Sequence, residues 1–221
     1  MANPASASAE SMSRGTIRVP GLGAVRVEPD VADLRLGVIS IRTTAAAARS
    51  AAAEAMQAIL AALATAGIAR RDLRTSLVGL DAVRDYSTPA GPTVTGYQMA
   101  NAVEVRIGAI DIVGGVIDAA LAAGATSMDG LWFRLADPTA ALAEARRLAI
   151  ADARARAVTL AAEAQVTLGR VLAIEEGGSS APGPAQPVAE FRMKAASDAA
   201  TPVEAGTSEL AISVTVTFSI D

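Results

Sequence analysis

Two glycines two residues apart open the run Gly21-Leu22-Gly23-Ala24-Val25-Arg26-Val27, and two aspartates, Asp30 and Asp33, follow close behind. Glycines so spaced can cradle a phosphate, because a bare backbone lets the N–H groups of a following helix reach the anion. Paired aspartates can offer carboxylate oxygens to a hard cation. The context argues against both. Ile17 and Val19 before the glycines, and Val25 and Val27 after them, keep a period of two, so the glycines join strand to strand rather than strand to helix. Position 26, where G-x-G-x-x-G needs its last glycine, is arginine, and no Gly-Lys-Ser/Thr follows. The reading is a bulge or kink in a strand. Asp30 follows Pro29 and reads as a turn cap, and no D-x-D-x-D-G calcium loop surrounds the pair.

The remaining reactive chemistry is narrow. The chain has no cysteine and no histidine, which removes thiol nucleophiles, Cys/His zinc sites and every triad with an imidazole base. Its one lysine is Lys194, and arginine does not move protons near neutral pH. Tyr86 and Tyr97 are the two tyrosines. Tyr97 shares a strand face with Asn101, and packing is the role expected of it. Glu144, Arg146, Arg147, Asp152, Arg154 and Arg156 crowd one helical stretch. A solvated face with intrahelical pairs, or a contact between subunits, is expected; the alternative is an anion site built on Arg154 and Arg156. No catalytic constellation, cofactor site or metal site is assigned. A net charge of −4, without a clustered basic surface, argues against nucleic acid.

The elements that would position these residues can be read from pattern. Residues 1–14 form a small, polar tail. Two strands follow, to about Ile41. Thr43 or Thr44 caps an alanine-rich helix whose Met56, Ile59, Leu60 and Leu63 make one apolar stripe, ended near Gly67. Two strands, Leu73 to Tyr86 and Val94 to Ile107, flank an exposed loop at 87–92. Asp111 caps a short helix ended near Gly124, and Ser127 to Leu135 is a strand in which Trp132 and Phe133 face opposite sides. Asp137-Pro138 begins a third helix, in which alanine recurs every four residues from Ala145 to Ala161 and allows close backbone approach. A strand from Leu168, a flexible loop at about 177–206 and an alternating strand from Leu210 to Ile220 complete the order ββα ββα βα ββ. The chain is 52% hydrophobic but 3% aromatic, so the core is expected to be thin. No apolar run is long enough for a membrane helix. No leader is visible at the N-terminus, which fits the cytoplasm; a periplasmic or secreted location would apply had a leader been removed.

Taken in order, Gly15 to Val38, the alanine-rich helix ending at Gly67, Asp72-Leu73-Arg74-Thr75, Gly96-Tyr97-Gln98-Met99-Ala100-Asn101, Ala120 to Ala125, Phe133 to Asp137, Glu144 to Ala157 and Val214 to Phe218 resemble the SIMPL-domain (DUF541) family over residues 15–221. The resemblance implies an α+β fold with antiparallel strands wrapped around about three helices, homo-oligomeric rings or channel-like assemblies, a link to stress tolerance or partner binding, and no established enzyme activity. The expected function is therefore non-enzymatic self-assembly, with Trp132, Arg146, Arg147, Val214, Val216 and Phe218 as contacts and the chain itself, or another protein, as partner. The last strand, reached through the flexible loop, could add to a neighbour's sheet edge. A small-molecule or anion-binding module is the alternative.

Overall fold

In a computed structural model that describes residues 15–87, 91–177 and 201–221, the pattern becomes seven strands and three helices in the expected order: β1 (Thr16–Val27), β2 (Val31–Arg42), α1 (Ala45–Thr65), β3 (Leu73–Asp85), β4 (Thr93–Ile107), α2 (Val113–Ala122), β5 (Ser127–Arg134), α3 (Thr139–Glu163), β6 (Leu168–Glu176) and β7 (Ser208–Ile220). The fold is α+β. The described residues divide into two compact units, one holding residues 15–27, 137–177 and 209–221 and the other residues 28–87, 91–136 and 201–208. The tail at 1–14, Lys194 and most of the loop at 177–206 lie outside the described residues.

The first unit is a three-stranded sheet, ordered β1-β7-β6, with α3 against it. β7 runs antiparallel to β6. It opposes β1 as well, because the Ile220 amide donates to the Gly15 carbonyl at one end while Arg26 lies 3.9 Å from Glu209 at the other. Every buried residue of α3 is an alanine: Ala145, Ala149, Ala153, Ala157 and Ala161. They pack on Val19, Ile212, Val214, Val216 and Phe218. β1 runs through Gly21 and Gly23 with its alternation of buried and exposed positions intact. A Cβ at Gly21 would meet the Ala149 carbonyl oxygen, and one at Gly23 the Ala145 carbonyl oxygen. The alanine row and the glycine pair are the two sides of one contact, which lets strand and helix backbones touch.

The second unit is a four-stranded antiparallel sheet, ordered β3-β4-β2-β5. Leu34, Leu36 and Val38 of β2 and Val103, Val105 and Ile107 of β4 face Met56, Ile59 and Leu63 of α1 and Val113, Val116 and Ile117 of α2. Each large side chain taken fully from water contributes about 1.5–3 kcal/mol. Thr44 caps α1 by accepting from the Ala47 amide at 3.2 Å. Asp111 does not cap α2; it lies in a single 3-10 turn, Ile110–Ile112, and the helix starts without a side-chain cap. Asp137 acts one position earlier than expected, accepting from the Thr139 amide at 2.9 Å. The part of the expected flexible loop that the structure describes is held. Thr201 donates its amide, at 3.0 Å, and its hydroxyl to Asp118 of α2, and Val203 packs on the core.

Candidate functional site

The helix expected to carry contact or anion chemistry spends most of its charge on its own unit. Arg146 grips Glu176 of β6 with its Nε 2.9 Å from Oε2 and its NH2 3.1 Å from Oε1. Arg147 pairs with Glu144 one turn back. Arg156 reaches Asp152 at 2.9 Å, and that carboxylate also accepts the Leu22 amide of β1 at 2.9 Å. The bond from Leu22, then that from Arg156, hold the Asp152 carboxyl below the ordinary aspartate value. Arg154 is exposed. Two positions apart is roughly 200° around a helix, so Arg154 and Arg156 leave α3 on different sides, Arg156 toward Asp152. Val214, Val216 and Phe218 also require a correction: they are buried beneath α3, and β7 is the central strand of its sheet. They offer no side chain to a neighbour, and their strand has no open edge.

Open edges lie elsewhere. β1 borders its sheet, but Asp152 covers it at the Leu22 amide. β6, at the opposite border, has β7 as its one strand partner among the described residues. It exposes Val171, Leu172 and Ile174, the last at 51%. In the second unit β3 and β5 are the border strands, β3 pairing with β4 alone and β5 with β2 alone. The regular run of β3 from Leu77 to Val83 exposes Leu77, Val78 and Leu80, with Val78 at 62%. A groove of about 680 Å³ lies between α1 and this side of the sheet, lined by residues that include Leu60, Ile68, Thr75 and Val103.

A second concavity, of about 510 Å³, lies on the second unit. It is built by register. Asp33 of β2 stands opposite Arg106 of β4 and Trp132 of β5, and directly opposed residues share a face. That face is the one away from the helices, since Leu34 and Val105 turn into the core. In the next row Glu104 faces Arg74 of β3 at 3.2 Å. Arg134 donates its Nε to Asp33 at 2.5 Å, with its NH2 3.4 Å from the other oxygen. That bond to Asp33 raises the Arg134 pKa, burial opposing it. Arg71 enters from the 3-10 turn Arg70–Asp72 that precedes β3. Trp132, 39% exposed, forms a wall with its ring over Gly130, where a Cβ would strike the indole; Phe133 turns to the core.

Sequence reading weighed Asp33 only as a metal ligand and Trp132 only as a subunit contact, and it did not single out as site residues Arg71, Arg74, Arg106 or Arg134, which come from separate segments. Asp30, expected to cap its own turn, instead ties to the segment after β5, accepting the Ala136 amide at 2.6 Å. No group of three or more potential metal ligands occurs among the described residues. Tyr86 is exposed, while Tyr97 and Asn101 are half-buried on β4. Among the described residues no helix is long and apolar enough to cross a membrane.

Residues 17–218 match the SIMPL family, described as a protein of unknown function, DUF541. The chain belongs to this family. It is 36% identical over 212 residues to the 26 kDa periplasmic immunogenic protein of Brucella melitensis biotype 1, covering 92% of this chain and 84% of that one. It is 30% identical over 155 residues to the uncharacterized protein YggE of Escherichia coli K12, covering 70% of this chain and 62% of the relative, and 27% identical over 185 residues to YggE of Edwardsiella ictaluri. None of these SIMPL relatives carries the name of an enzyme.

Proposed function

We propose that this SIMPL protein is a non-enzymatic subunit that assembles with copies of itself into a closed ring, channel-like body or cage, in a stress-related role and in the periplasm, where the name of the Brucella relative places that protein. One observation carries the reading: each unit has a border strand, β6 in one and β3 in the other, that pairs on a single side and exposes three large aliphatic residues along it. Unpaired, apolar sheet edges are the feature monomeric proteins suppress, because a row of free N–H and C=O groups templates pairing with another chain. Two different edges on one chain suit a head-to-tail contact, β6 of one copy against β3 of the next, and a rotation that returns to its start closes a ring.

Arg146 contributes indirectly, by fixing Glu176 at the end of β6. Arg147, exposed on α3, is the further contact in this reading, whereas Trp132 of β5 faces the concavity and lies on neither of the two edges. The deciding measurement is mass in solution by light scattering across a dilution series. A sharp multiple of the 22.2 kDa chain that persists on dilution, and that Ile174→Lys or Val78→Lys reduces to a folded monomer, is the expected result. A wild-type monomer at all concentrations overturns the reading.

A further inference from the structure

The 510 Å³ concavity beside Trp132 falls within the range of about 300–1,000 Å³ usual for small-molecule sites. Its charge is not closed by its own residues. Arg134 is committed to Asp33 through two nitrogens, and Arg74 lies against Glu104. Arg106 and Arg71 are different. Each approaches a carboxylate only to 3.9 and 3.8 Å, beyond hydrogen-bond distance, with side chains 60% and 86% exposed. Their guanidinium forks donate to no acceptor among the described residues, and both border the same cavity.

A planar fork with free donors suits a carboxylate, which accepts two parallel N–H bonds. Four guanidinium groups face the carboxylates of Asp33, Asp72 and Glu104, so the lining carries one positive charge in excess and matches a monoanion. The indole wall of Trp132 suits a flat apolar body. We propose that this cavity is a binding site for a small aromatic monocarboxylic acid. Arg106 and Arg71 take the carboxylate, the ring lies against Trp132, and Asp33 and Glu104 hold the other two arginines in place. The site is complete within one unit of one chain and does not rest on assembly.

Trp132 is the only tryptophan, so its emission reports on this cavity alone. The full chain is titrated with 4-phenylbutanoate, followed by Trp132 emission and by calorimetry, with 4-phenylbutan-1-ol and inorganic phosphate as comparison probes. The expected result is a saturable emission change with matching heat, about tenfold weaker for the alcohol and for phosphate. Arg106→Gln should weaken the acid about tenfold, with unchanged mass in solution and unchanged melting. Arg154→Gln, on α3, should leave the affinity as it was. Equal affinity for acid and alcohol overturns the proposal by showing a merely greasy surface; equal affinity for phosphate overturns it by showing a generic anion patch. No emission change or heat at millimolar acid also overturns it. If Trp132 emission follows dilution and the acid binds only the dissociated chain, a neighbouring copy occupies the cavity and the proposal fails while the assembly reading stands.

Discussion

At Gly21 and Gly23 of β1, α3 lies on the strand with nothing larger than a methyl group between the backbones; α1 and α2 lie on β2 and β4 with Leu, Ile, Val and Met between them. Both arrangements bury a helix on a sheet. The second draws on transfer of large apolar side chains from water, at about 25 cal/mol per Å². The first has little such area to bury in its five alanines and relies on close packing of many atoms at short range. The difference is one of tolerance. A side-chain interface can relax around a lost or altered group. A backbone interface cannot, because carbonyl groups fixed in a helix have nowhere to move.

The largest effect should therefore come from the smallest addition. Gly23→Ala places a methyl group against the Ala145 carbonyl oxygen and the Ala149 amide. The first unit is expected to lose about 3 kcal/mol or more, at the upper end of overpacking costs. Urea unfolding followed by circular dichroism should show it. Gly79→Ala, on β3 where the added atom meets nothing within 4 Å, should fall within about 0.5 kcal/mol of wild type. If Gly23→Ala is equally mild, the backbone contact is looser than the distances imply and the contrast between the units fails.

The second effect tests the other side. Leu63 of α1 is fully buried, and Leu63→Ala should cost about 2–5 kcal/mol through lost transfer and the cavity left behind. Part of that loss should be recoverable by a small apolar ligand or a neighbouring large substitution. Gly23→Ala should have no such rescue, because the atoms it strikes, the Ala145 carbonyl oxygen and the Ala149 amide nitrogen, belong to the backbone.

How much of this was legible depends on how local each cause is. The order of strands and helices followed from period-two runs and from alanine-rich stretches closed by glycine. Gly67 and Gly124 indeed take φ of +91° and +101°. The glycine pair in β1 was visible, but its partners on α3 lie more than a hundred residues away, so it read as a bulge. The alanine row was seen as a surface for close approach without its strand. The cavity was least legible. Its arginines sit on β3, β4, β5 and a turn, each an ordinary polar residue in an alternating or exposed stretch. Only the sheet order β3-β4-β2-β5 brings Arg106 and Trp132 to the two sides of Asp33, and spatial order in a sheet is not chain order. The anion site expected on Arg154 and Arg156 relied on closeness in sequence, which on a helix separates side chains two apart.

The third effect concerns helix ends. The last helix closes like the other two, with the Val166 amide donating to the Ala161 carbonyl as Ile68 donates to Leu63 and Ala125 to Ala120. Yet its left-handed residue is Gln165, with φ of +57°, where the others use glycine. A side chain in that region costs about 1 kcal/mol. Gln165→Gly should raise the melting temperature of the first unit by a few degrees, while the reverse change, Gly67→Gln in the second, should lower its own by a similar amount. Calorimetry on both variants makes the comparison symmetric.

The smallest effect is a local one, and it sets matched bonds against each other. In the second unit Asp118 accepts the Thr201 hydroxyl and amide, and those bonds, the hydroxyl's first, hold its carboxyl below the ordinary aspartate value. In the first unit Asp152 accepts the Leu22 amide in the same way. A carboxyl depressed by folding contributes stability that is present above its unfolded value and is lost as pH falls through the folded one. Both bonds should therefore weaken on acidification below about pH 4, the ordinary range for aspartate. Their consequences should differ. Thr201 sits on a segment without regular structure, so its amide should lose protection from hydrogen exchange, after correction for intrinsic rate, and Asp118→Asn should remove that acid dependence. Leu22 stands between Gly21 and Gly23, pinned to the α3 backbone, so its amide should remain protected at the same pH. Equal loss at both amides would mean that the carboxylate, rather than the backbone contact, holds β1 to its helix.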